Sequence, residues 1–415
     1  MRRVVVTGLG ALTPLGNNLH EYWEGLKNGI SGSVMITRFN TEKFKTKFAC
    51  ELKNYDSSKY FDRKEANKID LYSQFALVST AEAIADSGLD LEKVNKDRVG
   101  VIWASGIGGI ETFYQAIKGY VEGDGTPRFS PFFIPKMIGD IAAGQISIKY
   151  GFRGPNFATV SACASSTNSI IDAVNYIKLG KADIFITGGS EAAVNEPGIG
   201  GFNAMQALST NNEEYSSASR PFDKTRDGFV LGEGAGALIV EDYEHAKARG
   251  AKIYAEVAGT GLTADAYHLT APHPEGLGAC NVMKLAIQDA GLSPKDVDYI
   301  NVHGTSTPLG DIAETKAILG VFGEHAYKLN ISSTKSMTGH LLGAAGAIEA
   351  IAAIMAVVHD IVPPTINHKV PDPDIDQNLN LTLNKAQQKK VNVALSNTFG
   401  FGGHNASVVL IKAEL

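Results

Sequence analysis

One cysteine and two histidines in this sequence lie in segments suited to covalent chemistry. Cys163 is part of the small-residue run SACASS, His303 begins HGTSTP and His340 ends KSMTGH. A thiol with small neighbours can be reached by a bulky acyl group, and two imidazoles can donate hydrogen bonds to one developing oxyanion or enolate. Together the three residues predict acyl transfer through a thioester intermediate.

The local sequence places Cys163 between a strand and a helix. Residues 156–160 are typical of a short strand, and residues 170–177 have helical periodicity. A helix N-terminus offers unpaired N–H groups and the positive end of a dipole, so we expect this position to favour a thiolate and to form half of an oxyanion hole. The alternative is that a cysteine flanked by Ala and Ser is a small buried residue without chemistry.

Both histidines follow predicted strands. Residues 297–302 precede His303 and residues 329–334 lie shortly before His340, and each histidine lies beside a loop rich in glycine and hydroxyl groups. Packing alone does not readily explain two histidines in the same setting. We therefore predict that they share a site.

A glycine-dense segment, NTFGFGGHN at 397–405, separates two predicted strands near the end of the chain. Glycine permits positive φ and lets backbone approach a ligand closely, while an embedded phenylalanine can act as a movable plug. The simpler alternative is a tight hairpin turn.

These four segments, in this order and at these separations, resemble those of β-ketoacyl-[acyl-carrier-protein] synthases of the condensing-enzyme family. The resemblance runs from residue 4 to the last strand, and segments 105–109 and 219–223 are most similar to elongating enzymes of bacterial fatty acid synthesis. It implies an α/β, thiolase-like fold in which two duplicated βα halves form a layered α-β-α-β-α sandwich. The half at 1–251 would carry the cysteine and the half at 252–415 the two histidines.

The resemblance also implies a reaction and its catalytic residues. Cys163 would accept an acyl chain as a thioester, with the backbone N–H groups of Cys163 and Phe401 holding the oxyanion. His303 and His340 would promote decarboxylation of malonyl-acyl carrier protein to an enolate that attacks the acyl-cysteine, giving a 3-oxoacyl thioester and CO2. Lys335 would support the histidines by charge and hydrogen bonding, and the Phe401 ring would act as a gate.

Substrate contacts are implied in the same way. Thr305 and Thr307 would bind the amides of a phosphopantetheine arm, which arrives on the carrier protein, so no resident cofactor and no metal are expected. The far wall of the acyl pocket would contain Ile107, Phe133 and Phe202, with Ile107 acting as a steric filter that changes rotamer for a long chain. Further substrate contacts are implied at Phe399, Gly402, His268 and Thr270.

The expected partners are an acyl carrier protein and a second copy of the chain. The net charge of −6 argues against nucleic acid. Because carrier proteins are acidic, docking requires a local basic surface, and Arg63, Lys64 and Lys68 are the best candidates, with possible additions from Arg128 and Lys136. The alternative is a solvated helix face. In the expected homodimer, Phe133 would complete the neighbouring acyl pocket.

Composition indicates a globular enzyme rather than a secreted or membrane protein. The chain has 415 residues, 44% of them hydrophobic and 20% charged, and the three scattered cysteines at 50, 163 and 280 fit a reducing compartment better than a disulfide framework. No signal peptide is recognised, so a cytoplasmic location and no membrane association are expected. Residues 341–358 are apolar but contain Glu349, for which we expect a hydrogen-bonded structural role near the site; a proton-donating or ion-binding role is the alternative.

Other classes of protein fit less well. Gly8 and Gly10 lack the third glycine of a dinucleotide fingerprint, and no serine-hydrolase elbow occurs. A metal site built from the two histidines with Asp311 and Glu314 is disfavoured because both acids lie on one helix face, where capping or ion pairing is commoner. A thiolase, a polyketide or aryl-polyene ketosynthase, and a non-catalytic chain-length-factor partner remain as alternatives within the superfamily.

The strand pattern divides into two sets of five, which predicts a doubled unit with helices packed around two mixed sheets. The predicted strands are 3–8, 99–104, 156–161, 184–189 and 235–241, then 253–262, 297–303, 329–333, 391–396 and 406–412.

Overall fold

A computed structural model describes residues 2–413 of the chain. The strands are β1 Val4–Leu12, β2 Val34–Met35, β3 Phe48–Ala49, β4 Val99–Ala104, β5 Asn156–Thr159, β6 Ile184–Glu191, β7 Gly234–Asp242, β8 Ala255–Ala264, β9 Tyr299–Asn301, β10 Asn330–Ser332, β11 Ile361–Val362, β12 Gln387–Gln388, β13 Val393–Gly400 and β14 His404–Ile411. The helices are α1 Leu19–Lys27, α2 Arg63–Ala66, α3 Leu71–Ser87, α4 Ile110–Val121, α5 Phe133–Met137, α6 Ile141–Tyr150, α7 Ser165–Lys178, α8 Glu196–Ala204, α9 Tyr243–Ala248, α10 Leu277–Asp289, α11 Pro308–Phe322, α12 Lys335–Thr338 and α13 Ala345–His359.

Ten of these strands form one mixed sheet with two equivalent halves. Their order is β5-β4-β6-β7-β1 followed by β8-β14-β13-β9-β10. If the five strands of each half are numbered 1 to 5 along the chain, both halves have the spatial order 3-2-4-5-1 from the outer edge of the sheet to its centre. Among residues 2–413, the two halves of the sheet are hydrogen-bonded to each other through a short antiparallel pairing of β1 with β8, at Val5↔Glu256 and Val6↔Ala255. The expected duplication of a five-stranded unit is therefore confirmed.

Helices cover both faces of each half and produce five layers. The central core contains residues of α7 and α13 packed against strands of both halves, such as Ile102, Val240, Tyr299 and Val408. On the outer face of the N-terminal half, α3 and α6 pack against alternate strand residues such as Val101. Helices α10 and α11 do the same on the C-terminal half. Strands buried on both faces are near-continuous hydrophobic runs, which is why their positions could be predicted.

The two central helices begin with the same backbone conformation. A single 3₁₀ turn, Ala162–Ala164, leads into α7, and its first residue has φ +50°. A second turn, Leu342–Ala344, leads into α13, and its first residue has φ +48°. Because such φ values are unusual for residues with a Cβ, the repetition indicates a shared local structure in the two halves. Cys163 occupies the central position of the first turn and Gly343 that of the second.

The ten predicted strands correspond to the ten strands of the large sheet, with ends that shift by a few residues, whereas the two-residue strands β2, β3, β11 and β12 were not predicted. The largest difference is at the C-terminus, where β13 and β14 extend into the 397–405 segment and pair up to Gly400↔His404. Gly402 and Gly403 have φ values of +89° and +76°, which makes the tight turn possible. The segment is thus a hairpin, the alternative reading from sequence.

Two further predictions concerned the boundary between the halves and the apolar segment at 341–358. β7 ends at Asp242 and β8 begins at Ala255, with α9 between them, so the boundary at 251/252 falls in the connection and stays a prediction. Among the described residues, Leu342–His359 is apolar and long enough to cross a bilayer by length and composition alone. In this fold, 89% of that segment is buried inside the protein.

Candidate active site

A cavity of about 530 Å³ opens between the two halves of the molecule. Cys163 comes from the turn that begins α7, His303 follows β9, and His340 lies just before the turn that begins α13. All three side chains line the cavity and are buried. One ligating atom from each, the thiol sulfur and two ring nitrogens, lie within 4.8 Å of one another. The fold thus brings together residues separated by up to 177 positions.

The turn that holds Cys163 is packed against the 397–405 hairpin. A Cβ at Gly400 would lie 2.7 Å from the Ser161 carbonyl oxygen and 3.1 Å from the Cys163 nitrogen, so only glycine permits this approach. The backbone N–H of Phe401 is within hydrogen-bonding reach of the Cys163 thiol. Two N–H groups, those of Cys163 and Phe401, therefore lie beside the sulfur, as an oxyanion hole requires.

Burial opposes the thiolate expected at Cys163. Burial raises the pKa of its thiol to about 12, because a charged sulfur would lose its hydration. The positive charge of Lys335 and the N–H of Phe401 act in the opposite direction but do not offset the burial. Burial thus favours the protonated thiol over the thiolate in the free protein, so the proton leaves during attack.

His340 is positioned by backbone contacts and faces the thiol. The Leu342 N–H donates to Nδ1 of His340 at 3.3 Å, so Nε2 carries the ring proton when the imidazole is neutral. Nε2 lies 3.0 Å from the Sγ atom of Cys163. The His340 ring also contacts the Phe229 ring edge to face, with 5.2 Å between the ring centroids. These contacts aim a single N–H at the reacting sulfur.

His303 is held through its backbone rather than its ring. The carboxylate of Glu314 accepts hydrogen bonds from the N–H groups of His303 at 2.9 Å and Gly304 at 2.8 Å. The ring lies nearly perpendicular to that of His340, with 5.3 Å between centroids. It also contacts Phe399 at 5.7 Å. The role of Glu314 agrees with the capping function that disfavoured a metal site.

Both imidazoles are neutral near pH 7. Burial holds the pKa of His303 and of His340 well below the ordinary value, and the charge of Lys335 lowers both further. A depressed histidine pKa means that the uncharged ring persists as the pH falls through 6.5. The site therefore presents two neutral imidazoles, which suit hydrogen bonding to a developing enolate better than proton abstraction by a strong base.

Lys335 and Glu349 form a buried ion pair beside the histidines. Their side chains are 1% and 0% exposed, and the ammonium of Lys335 donates to Oε1 of Glu349. Burial raises the pKa of the Glu349 carboxyl to about 7, and Lys335 opposes this shift. The expected hydrogen-bonded role of Glu349 near the site is supported. Since an unpaired charge at this depth costs several kcal/mol, each residue holds the other in place.

Polar and apolar residues line opposite parts of the cavity. Thr305 and Thr307 both reach it, and their hydroxyl oxygens are 3.0 Å apart. Ile107 and Phe202 line it as expected, and so do Thr270, Phe399 and Phe401. Phe229 is an additional lining residue, since its ring contacts both Phe202 and His340. Nothing in its local sequence, DGFVLGEG, distinguishes Phe229 from an ordinary core residue.

Three residues expected at the substrate site lie elsewhere. Phe133, the first residue of α5, does not line the cavity of its own chain. Its ring stacks with the ring of Phe129, which precedes α5, at 5.2 Å and with that of Phe113, on α4, at 6.4 Å. Nδ1 of His268 accepts two backbone N–H groups of its own turn, from Thr270 and Ala271, and His268 is not among the residues that line the cavity.

Gly402 also departs from expectation, for a different reason. Its N–H donates to the Leu269 carbonyl at 2.7 Å, which ties the 397–405 hairpin to the neighbouring loop. The cavity is lined by the residues on either side of it, Phe401 and Gly403. Gly402 therefore shapes the hairpin instead of contacting the cavity.

The same three reactive side chains are of types that can bind a soft divalent cation. The carboxylates considered with them have other partners. Glu314 accepts the two backbone N–H groups described above, and Asp311 accepts the Phe222 N–H at 2.9 Å and lies 3.3 Å from Arg226. The expectation of no metal stays a prediction.

The proposed docking cations lie on the surface beside the segment that leads into α5. Arg63, Lys64 and Lys68 are exposed, and the Lys68 ammonium lies 5.5 Å from the centre of the Phe132 ring. Lys136 on α5 donates to the Asn67 carbonyl at 3.3 Å, which places it beside this group. By contrast, Arg128 is paired with Asp124 at 3.0 Å. Helix α5 in turn packs on the glycines that follow Ile107, so the basic group borders the cavity wall.

Comparisons with known sequences point to one family. The family described as "Beta-ketoacyl synthase, N-terminal domain" matches residues 1–246, and "Beta-ketoacyl synthase, C-terminal domain" matches residues 254–369. The chain is 51% identical over 413 residues to 3-oxoacyl-[acyl-carrier-protein] synthase 2 of Staphylococcus aureus (strain COL), covering 100% of this chain and 99% of that protein. It is 48% identical to the protein of the same name from Synechocystis, with the same coverage.

Solved structures of ketosynthases have the same fold. A ketosynthase in complex with a type II polyketide acyl carrier protein matches with a TM-score of 0.92 and 36% identity, over 100% of both chains. A β-ketoacyl synthase from Burkholderia phymatum matches with a TM-score of 0.92 and 34% identity, also over 100% of both chains.

Proposed function

The chain belongs to the β-ketoacyl synthase family, and on that premise we propose that it elongates fatty acyl chains by decarboxylative condensation. The substrates are an acyl group held as a thioester on Cys163 and a malonyl group on an acyl carrier protein. The products are a 3-oxoacyl-acyl carrier protein, two carbons longer, and CO2. Identities of 48–51% to 3-oxoacyl-[acyl-carrier-protein] synthase 2 proteins favour fatty acid elongation over a polyketide pathway.

One observation carries the catalytic part of this proposal. A thiol and two neutral imidazoles converge in one cavity, with two backbone N–H groups beside the sulfur. Such a set matches a reaction that needs a nucleophile, an oxyanion hole and donors for an enolate, but no strong base. A non-catalytic partner subunit would have no need for this arrangement.

In the first half-reaction, the Cys163 sulfur attacks the carbonyl carbon of the incoming acyl thioester. The new C–S bond forms, the bond to the carrier's phosphopantetheine sulfur breaks, and that sulfur leaves with the proton that Cys163 loses. The N–H groups of Cys163 and Phe401 stabilise the negative oxygen of the tetrahedral intermediate. Because burial raises the pKa of the thiol, the nearby charge of Lys335 and these N–H groups matter most as the sulfur loses its proton.

In the second half-reaction, the malonyl group loses CO2. The electron pair of the broken C–C bond forms an enolate whose thioester oxygen accepts hydrogen bonds from His303 and His340. The enolate carbon then attacks the acyl-cysteine carbonyl, a C–C bond forms, and the C–S bond to Cys163 breaks. The departing thiolate takes up one proton from solvent to restore the thiol. Neutral histidines stabilise the enolate without protonating it. We infer that the Lys335–Glu349 pair fixes the charge environment of both rings.

The phosphopantetheine arm is proposed to enter past Thr305 and Thr307, whose adjacent hydroxyls can bind its amides. The enzyme then needs no resident cofactor. A carrier protein is acidic, which supports docking on the exposed cations Arg63, Lys64 and Lys68. A related ketosynthase is known in complex with an acyl carrier protein, which supports the same class of partner here.

We further propose a cytoplasmic homodimer. Free cysteines at 50, 163 and 280 suit a reducing compartment. Strand β5 lies at one end of the ten-stranded sheet, and an unprotected edge favours pairing with another copy. Phe133 lies outside its own cavity, which leaves it available to the neighbouring subunit.

The test is intact-mass spectrometry after incubation with acyl carrier proteins that carry C8 to C16 chains, followed by peptide mapping. The expected result is a chain-length-dependent thioester on Cys163. Addition of malonyl-acyl carrier protein should then remove the adduct and release the 3-oxoacyl product. No adduct with any saturated chain would contradict the proposal and favour a polyketide-type ketosynthase or a non-catalytic partner.

A further inference from the structure

A single buried carboxylate, that of Glu191, connects two walls of the cavity. Glu191 is the last residue of β6 and is 0% exposed. Its Oε2 accepts the backbone N–H groups of Gly106 at 2.8 Å and Gly343 at 2.9 Å. Its Oε1 accepts the Ile107 N–H at 3.2 Å and the Ser105 hydroxyl at 3.0 Å. Four hydrogen-bond donors thus surround this carboxylate, and they oppose the burial that raises its pKa.

The two segments that Glu191 joins are in direct contact. A Cβ at Gly343 would lie 2.1 Å from the Gly106 nitrogen, and a Cβ at Gly106 would lie 2.8 Å from Oε2 of Glu191. One segment presents Ile107 to the cavity, and the other follows His340 and presents Leu342. Movement of the Ile107 backbone is therefore restrained by the same carboxylate that holds the turn after His340.

Ser105 extends this restraint past Ile107. Its hydroxyl donates to Glu191 and its oxygen accepts the Gly108 N–H at 3.0 Å. The N–H groups of three consecutive residues, 106 to 108, are consequently tied to Glu191 directly or through Ser105. The backbone on both sides of Ile107 is fixed, so only side-chain rotation remains to make room in the cavity.

We propose that Glu191 is a positioning residue that sets chain-length selectivity by fixing the backbone of Ile107. This inference rests on the proposed function, in which a long acyl chain must pass Ile107. With the backbone fixed, a long chain forces the Ile107 side chain into another rotamer. If the backbone is released, the whole segment can move aside. Long acyl chains should then acylate Cys163 more nearly as well as short ones.

The variant Glu191→Gln tests this by removing one acceptor while keeping size and shape. The Gln oxygen can retain the bonds from Gly106 and Gly343. The Gln NH2 group then faces the Ile107 N–H, and two donors cannot form a hydrogen bond. The Ser105 hydroxyl, by contrast, can rotate to accept a hydrogen bond from the Gln NH2. Gln therefore releases Ile107 selectively. A second variant, Ser105→Ala, keeps the carboxylate and its bond to the Ile107 N–H, and removes the hydroxyl that bonds Glu191 and accepts the Gly108 N–H.

The measurement is a competition between C8- and C16-loaded acyl carrier proteins in one mixture, read as the ratio of the two adducts on Cys163. Glu191→Gln should shift this ratio toward C16 by at least about threefold, since a buried hydrogen bond to a charged group is lost. Ser105→Ala should shift it less, in the same direction. A ratio taken within one sample does not depend on the fraction of protein that is folded.

Glu241→Gln is the matched control. Glu241 is also a buried strand carboxylate, but its partners are Thr7, His245 and Arg249, away from the cavity. It should leave the ratio unchanged.

An unchanged ratio in folded Glu191→Gln would overturn the inference, and so would a shift of equal size in Glu241→Gln. If Glu191→Gln does not fold, Ser105→Ala decides: a shift toward C16 supports the inference and no shift overturns it. Absence of any adduct on the wild-type Cys163 would instead refute the proposed function, and with it the inference that depends on it. The two failures are therefore distinguishable.

Discussion

At the scale of single residues, the cysteine and the histidines have separate tasks. Cys163 holds the acyl chain, whereas the enolate forms at the N–H groups of His303 and His340. The 3.0 Å contact between Cys163 Sγ and His340 Nε2 places these tasks side by side without making one depend on the other. Removal of the thiol should therefore leave decarboxylation possible.

Cys163→Gln should abolish condensation and still decarboxylate malonyl-acyl carrier protein. The Gln side chain supplies no nucleophile, but it leaves both imidazoles and their neutral state in place. Release of CO2 and formation of acetyl-acyl carrier protein measure the retained activity. The double variant Cys163→Gln/His303→Ala should lose it by at least about tenfold, because one of two enolate donors is gone. Loss of decarboxylation in the single variant would contradict this division of tasks.

Residues at strand ends could be found from sequence, whereas residues that act through long-range contacts could not. Cys163, His303 and His340 each follow a predicted strand and precede a polar or small-residue segment, so their type and setting were informative. The pairing of Lys335 with Glu349 depends on how α12 and α13 pack, and no spacing rule gives it. The helix terminus that favours a thiolate at Cys163 is visible in the sequence, whereas the burial that raises the pKa of the thiol is a property of the whole fold.

At the scale of elements, the short helix α2 and the chain after it present cations beside the cavity wall. The Asp62 side chain caps this helix by accepting the N–H groups of Lys64 and Glu65, so the basic side chains project from a fixed base. Exposed charges contribute more to the rate and specificity of association than to the final affinity. Reversing them should therefore weaken the encounter with an acidic carrier and leave the chemistry intact.

Lys64→Glu/Lys68→Glu should raise the KM for acyl carrier protein by about five- to tenfold with little change in kcat. The effect should decrease as salt is added, because exposed charges are screened. Lys284→Glu/Lys295→Glu is the control, since it changes two exposed lysines of the C-terminal half and shifts the net charge equally. An unchanged KM in the first variant, or an equal increase in both, would show that α2 is only a solvated surface.

Strands were predicted better than turns for a physical reason. Buried strands require apolar runs, and strands such as β1, β4 and β7, which are buried along their whole length, lie where such runs occur. The 3₁₀ turns that begin α7 and α13 carry no composition signal, because Ala162 and Leu342 adopt a positive φ that their side chains do not favour. The 397–405 hairpin was read mainly as a loop because its glycines fit both a turn and a cavity wall, and it is both.

At the scale of the whole molecule, the order of strands was beyond reach of the sequence. The two halves join through β1 and β8, about 250 residues apart, and the duplication is conserved in backbone rather than in residue type. The same order leaves β5 at an edge of the sheet. Val160, directly after β5, is 67% exposed, and Phe129 and Ile134 are 40% and 54% exposed nearby in the chain around Phe133. An apolar surface beside a free strand edge is typical of a subunit interface.

Val160→Glu should therefore convert the proposed dimer to a monomer. In the proposed dimer interface, a carboxylate at this position would be buried without an ion-pair or hydrogen-bond partner, which costs several kcal/mol. Size-exclusion chromatography with light scattering should give twice the monomer mass for the wild type and the monomer mass for the variant. Leu285→Glu, on the outer helix α10 and 45% exposed, is the matched control and should stay dimeric.

The same variant also tests where Phe133 acts. If Phe133 completes the pocket of the neighbouring subunit, the Val160→Glu monomer should acylate Cys163 normally with C8 and poorly with C16, because a long chain loses a wall that a short chain never reaches. Phe133→Ala should alter the C16 reaction without dissociating the dimer. Two results would contradict a role of the dimer in the acyl pocket. One is a wild-type protein that is monomeric at micromolar concentration, and the other is a monomeric variant with an unchanged chain-length profile.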